Sequence, residues 1–151
     1  MKIGGRTVTK CEEILVLPRP EAEDIIIRAE SVSVNEEFDA LVPMPVPPSV
    51  RTKDGKKDDL EDGSYLEAVD RRDSLRWDYM ILRSLRPSEI EWERVNLDQP
   101  NTWKEWKKEL IDAGLSDIEI SRIQGAVMSA CSLDEDKLKE ARDSFLLGRD
   151  Q

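Results

Sequence analysis

Carboxylates are the reactive groups this chain has in quantity, with 33 Asp and Glu among 151 residues. Paired carboxylates can hydrolyse a glycosidic bond, and clustered ones can hold magnesium or calcium. The candidate groups are Glu12-Glu13, Glu36-Glu37, Asp58-Asp59 and Asp134-Glu135-Asp136. Each lies in a polar stretch beside Lys or Arg, or at a helix start, where negative charge offsets the macrodipole. Solvated surface is therefore their expected role. Asp54 to Asp62 is acidic but lacks the alternation and closing Glu of a calcium loop.

Other chemistries find no residues to use. The chain has no histidine, which removes the commonest general base near neutral pH and the commonest metal ligand. Ser-His and Cys-His nucleophile systems go with it, as do the usual zinc sites. Cys11 and Cys131 stand far apart in unlike surroundings, and reduced structural thiols are expected rather than a disulfide. Gly4-Gly5 does not continue into a phosphate-binding loop. No catalytic residue, metal or cofactor is expected, and the function should be binding or assembly.

Charge narrows the partners. A net charge of -10 repels nucleic-acid phosphates and anionic membrane surfaces, because phosphate binding needs Lys and Arg to release counterions. No apolar run is long enough to span a bilayer, and Met1-Lys2-Ile3-Gly4-Gly5 lacks the apolar core of a signal peptide. Neither nucleic acid nor membrane is expected as a partner, and a cytoplasmic protein is. Homo-oligomerisation stays open.

The last third of the chain carries the clearest local structure. Thr102, Ser116 and Ser132 each precede a Glu by three residues, the reciprocal capping pattern of a helix start. Ser64 and Glu67 repeat it at the head of a longer helical pattern running to about Leu85, before Pro87. Within that helix Leu66, Val69, Trp77, Met80, Ile81 and Leu85 form the apolar stripe. Its charged first half should be solvated and its second half buried. Trp103, Trp106 and Leu110 then share one helix face, Ile120, Ile123, Val127 and Ala130 another, and Leu138, Ala141 and Phe145 a third. Gly114 supplies a left-handed cap and Leu115 its apolar contact. These helices should make the core. One of the four tryptophans, Trp77, Trp92, Trp103 or Trp106, left partly exposed would anchor a partner. If one surface binds, the helices bearing Trp103, Trp106, Leu110, Ile120, Ile123 and Val127 are the expected place.

Before the helices the pattern is different. Ile3 to Val8 contains a Gly-Gly hairpin turn, Ile14 to Leu17 is a short apolar run, and Ile25 to Val34 settles into alternation with Val32 and Val34 on one face. Four prolines between Pro43 and Pro48 exclude helix, and Arg51 to Gly63 is too polar to bury. The expected organisation is a β-rich region over 1–42, a Pro-rich charged linker over 43–63, and a helical domain over 64–151. The linker could instead be an arm that orders on a partner. The fold class is α+β: a small N-terminal antiparallel β-sheet followed by a C-terminal helical module of about four helices.

The string Thr102-Trp103-Lys104-Glu105-Trp106-Lys107-Lys108-Glu109-Leu110, then Ala113-Gly114-Leu115-Ser116 and Glu119-Ile120, resembles the tail assembly chaperones of long-tailed bacteriophages. The likeness continues through Ser132-Leu133-Asp134-Glu135 and Glu140 to Gly148, and upstream through Glu12 to Arg19 and the Pro43–Pro48 stretch. The resemblance implies binding to the tape-measure protein, a long helical chain, and recruitment of tail-tube proteins while the tube polymerises. It also implies absence from the finished virion. Two other readings compete. One is a structural virion component, such as a tail-tube, tail-completion or decoration subunit. The other is an acidic inhibitor of a host protein, for which the carboxylates are too interspersed with Lys and Arg.

Overall fold

The computed structural model of this chain describes residues 1–33 and 35–149. Three separate two-stranded antiparallel ribbons replace the one small sheet expected, and five α-helices accompany them in the described residues. The α+β class holds.

Each ribbon has its own cause. The first joins β1 (Lys2–Ile3) to β2 (Arg6–Thr7) through Gly4 and Gly5, both at positive φ (57° and 81°). A two-residue hairpin turn needs that backbone, and glycine adopts it freely. The second pairs β3 (Glu12–Leu17) with β4 (Ile25–Glu30), Leu17 facing Ile25 and Glu12 facing Glu30. Alternation puts Leu15, Leu17, Ile25, Ile27 and Ala29 on the inner face against α4. Ile14, Val16 and Ile26 remain on the outer face, exposed. Along β4, the Ser88 hydroxyl accepts from the Arg28 N–H (2.7 Å) and donates to the Arg28 carbonyl (2.8 Å), so a side chain occupies that edge.

The third ribbon was not expected. β5 (Ser49–Thr52) and β6 (Gly55–Asp58) form an exposed hairpin inside the segment read as linker. A short helix α1 (Asn35–Leu41) also lies inside the region read as β-rich. Val34, expected to share a face with Val32, lies outside the described residues. α1 is held to α2 (Gly63–Ser84) by buried Arg72, which pairs with Asp39, donates through Nε to the Val42 carbonyl (3.1 Å) and lies 4.8 Å over the Phe38 ring.

The helix starts follow the capping chemistry with three corrections. α2 is capped two residues before the expected Ser64 box: Asp62 is the cap, accepting from the Tyr65 N–H. At Thr102 the hydroxyl instead bonds the Asn96 backbone, inside a 3-10 turn (Pro100–Glu105) that leads into α3 (Trp106–Asp112). Ser116 and Glu119 do form the full reciprocal box at α4 (Asp117–Ala130). Ser132 does not cap α5 (Glu135–Arg149). It sits at φ 57° as the terminator of α4, with the Leu133 N–H bonded to the Met128 carbonyl, and Asp134 accepts from the Lys137 N–H instead.

α3 ends as expected. Gly114 (φ 116°) allows its own N–H to reach the Ile111 carbonyl and that of Leu115 to reach Leu110. A single apolar cluster joins Leu17, Ile27 and Ala29 of the ribbon to Phe38, Tyr79, Leu85, Trp103, Trp106, Ile123 and Val127. Phe38, Tyr79 and Trp103 meet ring to ring at its centre, with centroids 4.7 to 6.2 Å apart. Among the described residues no helix is long and apolar enough to cross a membrane.

Candidate partner-binding surface

The six residues expected to bind a partner, Trp103, Trp106, Leu110, Ile120, Ile123 and Val127, are all buried. They pack in the core, the role their helical spacing also predicts, and within this chain they leave little side-chain surface for a partner. Their polar atoms are also satisfied inside. Trp103 Nε1 donates to the Asn96 carbonyl and Trp106 Nε1 to Asp78 Oδ1, each at 3.1 Å. An apolar face of this kind is removed from water by folding and offers a partner nothing further.

The exposed tryptophan is Trp77, with 47% of its surface accessible. Leu66 on the same helix is equally exposed. Leu66, Asp70, Asp73 and Trp77 follow one another by four, three and four positions and so share one strip of α2. A large indole on a solvated, acidic strip does not serve the core. The signal was present in the sequence: its spacing from Asp70 and Asp73 assigns Trp77 to the solvated face, although the helix end that follows is buried nearly all round.

Beside this strip runs a groove of about 430 Å³ between α2 and the Pro100 turn. Asp70, Ser74, Leu75 and Asp78 line it from α2, and Pro100, Asn101 and Lys104 from the other side, with Arg71 also contributing. Burial pushes the Asp78 carboxyl above its ordinary range, although the Trp106 N–H and nearby Lys107 pull the other way. Asp78 is thus a half-buried anion whose charge is incompletely compensated. The groove combines an apolar floor with a charge-balanced rim, Asp70 and Asp78 against Arg71 and Lys104. The acidic residues Asp70 and Asp73 with Trp77 form the strip beside it, a combination suited to an amphipathic segment with basic flanks along that strip.

The acidic pairs have structural duties. Glu13 accepts from the Ser129 hydroxyl (2.8 Å), Glu37 from the Tyr79 hydroxyl (3.2 Å), and Asp134 caps α5. Glu109 receives the backbone N–H groups of Glu93, Arg94 and Val95, fixing that loop to α3. Arg19 grips Glu119 with two guanidinium N–H groups (2.7 and 3.0 Å), which together with Ser116 hold the Glu119 carboxyl below its usual range. Cys11 and Cys131 are free thiols. Among the described residues no three His, Cys, Asp or Glu side chains gather into a metal site. Comparison with protein-family models, with curated proteins and with solved structures finds no match to this chain.

Proposed function

We propose that this chain is a phage tail assembly chaperone, which binds the tape-measure protein and helps recruit tail-tube subunits without catalysis or a cofactor. The observation that carries the reading is the half-exposed indole of Trp77 on the acidic strip beside the Pro100 groove. Tryptophan is over-represented among residues that dominate binding energy. An amphipathic helix laid along the strip would set an apolar side chain against Trp77 and basic ones against Asp70 and Asp73. The net charge of -10 limits self-crowding and favours release when tail-tube subunits compete. The protein works in the host cytoplasm and leaves before the virion is complete.

The test is co-expression with the tape-measure protein of the same phage. The chain should keep that protein soluble and co-purify with it. Trp77→Ala should weaken capture by about tenfold or more, with an unchanged far-UV spectrum because the side chain is outside the core. Equal solubility of the tape-measure protein with and without the chain would end the reading. A structural virion role is the second reading, favoured by the exposed β5–β6 hairpin, which could reach a neighbouring subunit. Stoichiometric amounts of the chain in purified particles would support it.

A further inference from the structure

Every described side chain of α5 is exposed, including Leu138 at 46% and Phe145 at 65%. The helix is tied to the body at its start, where Lys137 donates to the Ser129 hydroxyl (2.6 Å) and pairs with Glu13 (3.5 Å). Helices of 15 residues are marginal in water without tertiary cover, and α5 has that length. Four of its positions, Leu138, Ala141, Phe145 and Gly148, follow a coiled-coil seam in steps of three, four and three, while Leu146 and Leu147, also exposed, lie off it.

The seam alternates large, small, large and small. Gly148, next to the last residue of α5, supplies the second small position of the seam. A Cβ at that position would meet no atom of this chain within 4 Å, so packing within one chain gives no reason for the missing side chain. An antiparallel copy of the same helix does. It brings Leu138 opposite the partner's Gly148 and Ala141 opposite the partner's Phe145, each bulky group filling the space left by a small one. A parallel copy would set Leu138 on itself and Phe145 on itself, leaving gaps at both small positions.

Charge agrees with a second copy as the occupant. The chain as a whole carries -10, yet α5 holds four acidic and four basic residues and has no net charge. Two bodies that repel can therefore meet at this helix. Antiparallel pairing also sets the two macrodipoles head to tail.

We propose that α5 is a self-association helix, pairing antiparallel with α5 of a second copy through Leu138, Ala141, Phe145 and Gly148. The proposal stands apart from the tail reading, since it needs no other protein. Its small seam makes the dimer weak and concentration-dependent. The test is sedimentation of the full chain from about 10 to about 300 µM, a range that brackets such affinities. The wild type should shift from monomer to dimer, and Phe145→Glu should remain monomeric with an unchanged far-UV spectrum. Ala141→Phe should weaken association by about tenfold, because it sets bulk on bulk. The double swap Ala141→Phe with Phe145→Ala should restore it. A wild type that is monomeric throughout overturns the proposal, as does a dimer that Phe145→Glu leaves intact or that Ala141→Phe strengthens.

Discussion

Asp78 keeps a carboxylate half out of water at the foot of the Pro100 groove, bonded to the buried Trp106 indole. Burial raises its pKa in the folded state, so the folded chain binds that proton more readily than the unfolded one. The stability from this group is therefore fully present below its unfolded pKa and is lost as pH rises through the folded value. Asparagine keeps an oxygen for the Trp106 N–H and removes the charge. Asp78→Asn should raise the thermal midpoint at pH 7, and the gain should shrink as the pH approaches 3; melting curves across that range check it. Residue-scale roles were partly legible. The spacing of Trp103, Trp106, Ile123 and Val127 gave their burial, since periodicity reports which side of a helix is apolar. It does not report whether that side meets its own chain or a partner. Trp77 is the exception: its apolar type and its spacing from Met80, Ile81 and Leu85 predict a core residue, yet its spacing from Asp70 and Asp73 decides the outcome and it stands exposed.

Ser132 shows how two local rules can claim one residue. A hydroxyl three positions before Glu135 reads as a helix start, yet the backbone uses Ser132 to end α4 in the left-handed region, and Asp134 takes the cap. A residue with a Cβ is strained there, and glycine is not. Ser132→Gly should stabilise the protein by about 0.5 to 1 kcal/mol, measured as a shift of the urea midpoint at constant slope. The Ser116 box and the Gly114-Leu115 terminator were legible because no second rule competed for them. The β5–β6 hairpin was not, because its exposed strands, Ser49–Thr52 and Gly55–Asp58, lack the apolar alternation that marks a half-buried strand. The turn hydrogen bond from the Thr52 hydroxyl to the Gly55 carbonyl (2.8 Å) helps hold it.

Across the whole molecule, residues on both sides of the 43–63 segment share one apolar cluster. Ribbon and helices should accordingly unfold together. Tryptophan fluorescence, which reads Trp103 and Trp106, and far-UV dichroism should give coincident urea transitions; two separated midpoints would show independent units. The sequence placed the segments along the chain but not this shared core, because pairing across a hundred residues leaves no local pattern. Arg19 meets Glu119, and Glu13 meets Ser129. These links have a consequence for synthesis. The inner face of the β3–β4 ribbon is made early, but its cover, α4, emerges only when most of the chain has left the ribosome. Until then Leu17 and Ile27 stay open to water and to other nascent chains. A protein proposed to shelter another's apolar surface thus begins life needing shelter itself.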